Sequence, residues 1–350
     1  MSRSEIAVFG AGGHTAAFVV GELARRGWTP ILVGRDPARL EAAGAAHPGS
    51  HVRIASAGDA GALDRALRGA SAVINCAGPF ADTAAPLVEA ALRARIHYLD
   101  VTAEQAVALA GLERHAAAEE AGIAVIPAMA FYGGLGDLLA TAAMADWTGA
   151  DEIRFGIALD GWRPTRGTRM TGQRNMARRL VVADGRLEPL ADPPPTSTWT
   201  FPAPFGAQAM VAVPLSEIVT TWHHLKAGAI TTHMNLAPLQ DLRDPDTPGP
   251  AAADASGRSS QRFILEVAVR AGDEERRATA RGRDIYATSA PLVCEAVERV
   301  LDGRARRRGA GAPGEMFDAV DFLESVRSEY LEIGLPGLPA GPRPGLPPGR

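Results

Sequence analysis

Residues 8–21 read VFGAGGHTAAFVVG, an apolar run entering three glycines, then a histidine and a threonine, then a stretch with the spacing of a helix. Strand, glycine turn and helix in that order form the opening of a dinucleotide-binding unit. Gly10 permits the tight turn, Gly12 or Gly13 lets the backbone approach a pyrophosphate, and the first amides of the helix face the phosphates. Two spacings fit: Gly10, Gly12 and Thr15 as G-x-G-x-x-T, or Gly10, Gly13 and Ala16 as G-x-x-G-x-x-A. In either, His14 and Thr15 are candidates to reach the phosphates or the ribose.

The rhythm around this stretch decides the fold. IAVFG, PILVG, HVRIAS, SAVINCAG, IHYLDV and IAVIPA read as six strands, separated by helices over 13–26, 36–45, 59–68, 83–94 and 104–121. Near-continuous apolar strands alternating with helices predict a doubly wound parallel sheet, a Rossmann domain, over residues 1–147. Asp36 before Pro37 predicts an N-cap with proline at the first helical position, and Thr102 predicts a cap after the fifth strand.

From about residue 148 apolar and polar residues alternate in EIRFGIALDG, AQAMVAVPL, GAITTHMNLA, RFILEVAVRAG and ERRATARG, while LSEIVTTWHHL has helical spacing. These predict a second α+β domain over 148–284, built on a mixed, largely antiparallel sheet that lines the substrate and forms a dimer surface. Helices within 285–330 are expected to pack back on the first domain, and the proline- and glycine-rich 331–350 is expected to be disordered.

Composition narrows the function. The 350 residues are 46% hydrophobic with a net charge of -4, which disfavours nucleic acid or an anionic membrane as partner and favours a small molecule. Two cysteines, Cys76 and Cys294, exclude a disulfide framework, and no apolar run is long enough to span a bilayer, so a cytoplasmic protein is expected. No metal site is expected, because the adjacent His223 and His224 do not share a helix face.

The second strand selects the cofactor. It ends in ILVGRDP, so Arg35 stands where an NAD site places an acid for the ribose. A charge-assisted bond to a 2′-phosphate, about 1.5–3 kcal/mol, favours NADPH over NADH by one to two decades.

NCAGPF (75–80), YLDVTAE (98–104) and PAMAFYGGLGDLLA (127–140) give the chain a wider likeness. RPTRGTRMT (163–171) and ARGRDIYATSAPLVCEAVERVL (280–301) extend it over most of residues 5–325. The sequence resembles the saccharopine dehydrogenase-like NADP-binding family, in particular the branch containing trans-acting enoyl reductases. That resemblance implies that Gly10, Gly12, Gly13, Thr15 and Arg35 bind NADP(H), with Asn75, Ala77, Gly78 and Pro79 on the nicotinamide side. His14 and Thr102 complete the cofactor candidates. Ala103 and Phe131-Tyr132-Gly133-Gly134 depart from the family's pattern, the latter where substrate meets the ring.

For the chemistry, Tyr132 is the candidate proton donor just past the sixth strand, and Asp100 a candidate to orient a protonated imine or a water. Phe80, Phe131, Arg169 and Tyr286 are the substrate-side candidates, with Arg166, Arg169 and Arg174 suited to an anionic group. The expected activity is an NADPH-dependent reduction of a C=N, C=C or C=O bond in a small, carrier-bound or biosynthetic substrate by a homodimer. The alternatives are a redox-neutral isomerase or cyclase that retains NADP(H), and a non-catalytic NADP sensor.

Overall fold

The computed structural model describes residues 5–337. Its first sheet is formed by β1 (Glu5–Phe9), β2 (Thr29–Gly34), β3 (His51–Ile54), β4 (Ala70–Asn75), β5 (His97–Asp100) and β6 (Ala124–Ile126). Helices α1 (His14–Arg25), α2 (Pro37–Ala46), α3 (Ala60–Ala66), α4 (Phe80–Ala94), α5 (Gln105–Leu112) and α6 (His115–Ala121) join them. All neighbours are parallel, in the order β6-β5-β4-β1-β2-β3. The order reverses between β4 and β1, so the carboxyl ends of these two strands open the crevice where a doubly wound sheet takes its ligand.

The central strands are buried on both faces: Ile6, Val8, Leu32, Val73, Ile74 and Leu99 are fully buried. Asp36 accepts the Arg39 amide at the start of α2, with Pro37 in the first turn, as the sequence predicts. The single helix expected over 104–121 is two, broken where the Arg114 amide bonds Gly111 O at 3.2 Å in a tighter turn. Its N-cap is Glu104; Thr102 lies two residues earlier and accepts the Glu104 amide at 3.1 Å.

A distorted turn, Phe131–Leu135, and α7 (Gly136–Met144) lead into the second domain. There follow β7 (Ala150–Leu159), α8 (Arg166–Arg174), β8 (Leu180–Ala183), β9 (Arg186–Pro189), β10 (Thr196–Thr200), β11 (Ala207–Ala212), α9 (Ser216–His224), β12 (Ala227–Asn235), α10 (Leu236–Arg243), β13 (Arg262–Ala271) and β14 (Glu274–Arg283). The main path of this sheet runs β10-β11-β12-β7-β13-β14, parallel only between β12 and β7, and the β8–β9 hairpin joins it through β12.

The chain then returns to the first domain through α11 (Ile285–Leu301). Arg26 at the end of α1 bonds Glu22 at 2.7 Å and Glu295 of α11 at 2.7 Å, so charged side chains fix this packing as well as apolar ones. After it come β15 (Gly309–Ala310), α12 (Pro313–Met316), α13 (Ala319–Val326) and β16 (Leu331–Gly334). Strand β15 extends the first sheet beside β6, and β16 pairs antiparallel with β14. The expectation of disorder from residue 331 is therefore corrected at its start: Leu331 and Ile333 are buried against the second sheet and hold the segment as a strand. Residues 338–350, the rest of that expectation, lie outside the described residues. No helix among the described residues is long and apolar enough to cross a membrane.

Candidate active site

The turn after β1 is shaped by contacts that only glycine allows. Gly10 has φ +82°, and a Cβ there would lie 2.8 Å from the Ala77 Cβ, so the loops after β1 and β4 touch at the switch point. A Cβ on Gly12 would lie 2.8 Å from the Arg39 Cβ. Gly13 is the N-cap of α1 and supplies no capping side chain, which leaves the first amides of a 12-residue helix free for an anion. Thr15 sits half-buried in that first turn.

Arg35 follows β2 as an exposed side chain with no hydrogen bond or ion pair among the described residues. Asp36 beside it is occupied as the cap of α2 and with Arg39 at 3.4 Å. Arg39, which the sequence reading did not single out, therefore stands beside the glycine turn and pairs with Asp36, the residue after Arg35. Its only sequence signal is its place in the first turn of α2.

The loop after β4 is held from within. Asn75 is buried; its Nδ2 donates to Thr83 at 3.1 Å and Tyr98 at 3.3 Å, and its Oδ1 accepts the Ala77 amide at 3.0 Å. Its side chain shapes the Ala77-Gly78-Pro79 backbone rather than facing a ligand. A Cβ on Gly78 would lie 3.0 Å from Thr171 Oγ1, so α8 of the second domain closes over this loop. Arg174 of α8 pairs with Asp82 of α4 at 2.6 Å across the same join. Phe80 turns away into a small cluster with Ala84 and Val107, while its amide donates to Glu104 at 2.8 Å.

Asp100 is also a scaffold. One oxygen accepts the Thr102 amide at 3.0 Å and the Ala128 amide at 2.8 Å, and the other accepts the Tyr98 hydroxyl at 2.9 Å. Burial raises its pKa above the ordinary value despite these donors. The carboxylate ties the ends of β5 and β6 together, and this geometry offers no support for orienting a substrate. Thr102, buried, bonds Glu104 and, through its carbonyl, the Ser216 hydroxyl at 3.2 Å.

Above the crevice the aromatic residues converge. The His14 ring meets Tyr286 edge-on at 5.4 Å and Phe18 at 5.3 Å. Its Nε2 is buried without a hydrogen-bond partner among the described residues, and burial lowers its pKa against the opposing pull of Asp284. Tyr286 bonds Trp162 Nε1 at 3.0 Å, and the Trp162 ring lies 5.9 Å from that of Tyr132. One aromatic path thus runs from the dinucleotide turn to Tyr132. Trp162 was missed by the sequence reading, although it directly precedes the RPTRGTRMT stretch singled out there.

Tyr132 belongs to the distorted turn after β6, where it (φ -82°, ψ 127°) and Gly133 (φ 96°, ψ -93°) depart from helical geometry. A Cβ on Gly133 would lie 2.7 Å from both Ala128 O and Ser216 Oγ, so only glycine brings the turn this close to α9. Phe131 is buried against Phe263 at 4.7 Å and lines the core behind the site. The Tyr132 hydroxyl is buried with no partner among the described residues, and burial together with Tyr286 and Glu217 pushes its pKa well up.

The arginines resolve differently from the expectation of an anion site. They lie on helix α8, and Arg169 donates to the carbonyls of Leu242, Asp244 and Thr247 at 3.3, 3.0 and 2.7 Å. Its guanidinium anchors α8 to the last turn of α10 and the segment after it. Arg174 is engaged with Asp82, and Arg166 is exposed. His223 and His224 diverge to Glu315 at 3.1 Å and Asp137 at 2.7 Å.

The saccharopine dehydrogenase NADP-binding domain family matches residues 6–126. No curated protein matches the chain. Apo histidine-tagged saccharopine dehydrogenase (L-Glu forming) from Saccharomyces cerevisiae is 14% identical, is similar over 95% of this chain and 99% of its own, and has a TM-score of 0.69. A short-chain type dehydrogenase/reductase from Mycobacterium ulcerans is 15% identical over 36% of this chain and 67% of its own, with a TM-score of 0.31. Residues 6–126 thus match the saccharopine dehydrogenase NADP-binding domain within a chain of the saccharopine dehydrogenase fold, which supports an NADP-dependent oxidoreductase with NADP(H) as cofactor.

Proposed function

We propose that the protein reduces a C=N, C=C or C=O bond of a small-molecule substrate bound between the two domains. The observation that carries this reading is the path His14–Tyr286–Trp162–Tyr132, which ends on a buried phenol without a partner beside the dinucleotide crevice. NADPH, when bound, supplies hydride.

The chain's own residues divide the remaining work. Gly10, Gly12, Gly13 and the amides of α1 receive the pyrophosphate, and Arg35 with Arg39 favours the 2′-phosphate. Tyr286 and Trp162 exclude water above the ring, and the Tyr132 hydroxyl donates the proton that completes the reduction. Membership of the branch with the trans-acting enoyl reductases is part of this proposal and rests on the motifs at 75–80, 98–104 and 127–140. A cytoplasmic homodimer associating through the second domain is proposed with it, and light scattering of the purified protein reads that mass directly.

Calorimetric titration of NADPH and NADH into the wild type and Arg35→Asp tests the cofactor half. The expected outcome is a preference for NADPH of about tenfold or more, from one charge-assisted phosphate contact, lost in the variant. Binding of neither dinucleotide would sink the proposal. A bound NADP(H) whose absorbance never changes under any substrate screen would instead favour the redox-neutral alternative.

A further inference from the structure

One buried carboxylate has no part in the scheme above. Glu217 lies in the first turn of helix α9 and is almost wholly buried. Its Oε1 accepts the Leu215 amide at 3.0 Å and the Thr232 hydroxyl at 2.6 Å, while its Oε2 is buried without a partner among the described residues. A buried polar atom left unpaired costs about 1–3 kcal/mol, so a fold retains one where a transient partner is to be received.

The neighbourhood holds the matching groups. Glu217 packs against the start of α7, directly after the turn that carries Tyr132: a Cβ on Gly136 would lie 3.3 Å from the Glu217 Cβ. The unpartnered Tyr132 hydroxyl feels the charge of Glu217, of Tyr286 and of Arg179, and Arg179 in turn feels both Glu217 and Tyr132. Arg179 donates to Pro214 O at 3.0 Å and lines a cavity of about 80 Å³ together with Leu215, Pro214 and Gln105. An acid, a phenol and a guanidinium therefore lie within electrostatic reach of one another. The turn of Tyr132 touches α9, where a Cβ on Gly133 would lie 2.7 Å from Ser216 Oγ, and the Arg179 cavity, roomy enough for water, is lined by Leu215, whose amide Glu217 accepts.

We infer that Glu217 and Tyr132 form a proton-relay pair, in which Glu217 recharges the Tyr132 phenol through a bridging water while Arg179 holds the transient phenolate. This rests on the reductase reading for its catalytic use. Hydride adds to the substrate's double bond with its electron pair, leaving one negative charge. The Tyr132 O–H bond breaks and its proton neutralises that charge. The phenolate takes a proton from the bridging water as that water takes the proton of Glu217, and the Glu217 carboxylate is reprotonated by a proton taken up from bulk solvent, so the net reaction consumes one hydride and one solvent proton. No further oxidant or reductant is needed. Glu217 touches neither substrate nor cofactor here and acts through Tyr132, so it is a positioning and recharging residue. Burial raises its pKa above the ordinary carboxylate value, opposed by Thr232, its own amide, Leu215 and Arg179.

Infrared spectroscopy of the full chain across pH tests the pair without any substrate. The expected result is a protonated-carboxyl band that vanishes in Glu217→Gln and whose frequency and midpoint shift in Tyr132→Phe. A parallel ultraviolet titration of phenolate formation, with the wild type minus Tyr132→Phe isolating one of the four tyrosines, should show a lower Tyr132 midpoint in Glu217→Gln and a higher one in Arg179→Met. A carboxyl band and a tyrosine midpoint that each ignore loss of the other group would overturn the inference. If Glu217→Gln does not fold, the wild type against Tyr132→Phe decides by the same band. NADPH calorimetry separates the two readings: a coupled pair in a protein that binds no NADPH removes the catalytic use of the relay, whereas an uncoupled pair with NADPH bound removes the relay and leaves the reductase.

Discussion

The Tyr286 hydroxyl oxygen stands 3.0 Å from Trp162 Nε1 and 3.2 Å from the Thr165 amide, so one phenol of α11 accepts two donors from the second domain. With both lone pairs filled, its own hydrogen goes to Thr168 Oγ1 at 2.9 Å, and Thr168 then donates to Thr165 Oγ1 at 3.0 Å. The same ring meets His14 at the mouth of the dinucleotide turn. Tyr286→Phe keeps the ring contact but strands two buried donors. The expected cost is about 1–3 kcal/mol in denaturant unfolding, with NADPH binding retained. Tyr286→Ala should lower both stability and NADPH affinity, read by the same unfolding and by calorimetry.

Gly10→Ala probes the switch point. The new Cβ would meet Ala77 at 2.8 Å at a φ of +82°, and both neighbouring loops are pinned by backbone bonds: Gly10 N to Val33 O at 2.8 Å and Cys76 N to Phe9 O at 2.9 Å. Left-handed strain alone costs on the order of 1–3 kcal/mol. Thermal unfolding should fall, and NADPH binding should be lost because the turn can no longer close on the pyrophosphate.

Asp100→Asn separates scaffold from chemistry. The asparagine carbonyl still accepts the Thr102 and Ala128 amides, but its amide nitrogen takes the place of the oxygen that receives the Tyr98 hydroxyl. One lost buried bond predicts a destabilisation of about 1–3 kcal/mol by chemical denaturation. NADPH binding should persist, and its abolition would show that the carboxylate serves the ligand directly.

The contrast between Gly10 and Asp100 marks what the sequence makes legible. Strand, glycine turn and helix are local, so 8–21 reads as strand, turn and helix without any knowledge of Ala77. Asp100 looks like a site residue because it ends a strand, and only the fold brings Ala128 to it. Trp162 meets Tyr132 from the other domain, and Glu217 comes near it only through the fold, because it lies on α9, a helix whose sequence signal is its pair of adjacent histidines. Arg169 has an arginine's sequence signal for an anion, yet the fold supplies backbone carbonyls 73 to 78 residues away. Strands β15 and β16 are short and borrow their order from β6 and β14, which no local alternation announces.

His224 gives the stability a pH dependence. Its Nε2 lies 2.7 Å from the buried Asp137 Oδ1, which also receives Thr221, while Gly314 N binds the other oxygen at 2.8 Å. Burial opposes the charged imidazole, but Asp137, with Glu315 beyond it, raises the His224 pKa above 6.5. A raised folded value means that the imidazolium stabilises the fold fully below the ordinary histidine value. That contribution fades as pH rises through the raised one. Urea unfolding from mildly acidic to mildly alkaline pH should show this loss in the wild type and a flatter profile in His224→Gln. An identical slope in both would remove the ion pair from the account.

Arg169→Met tests the anchor of α8. The methionine keeps much of the apolar stem but surrenders three carbonyl contacts, leaving Leu242, Asp244 and Thr247 O to solvent. Because the freed carbonyls are near the surface and regain water, the global loss should be only about 1 kcal/mol. The local effect should be larger. The segment after α10 loses its tie to α8, and α8 closes over Gly78, so limited proteolysis should accelerate within 242–258 in the variant. NADPH should restore protection if α8 packs against the bound nicotinamide side. Cleavage at the wild-type rate, with or without NADPH, would show that α8 is held by Tyr286 and the Arg174–Asp82 pair alone.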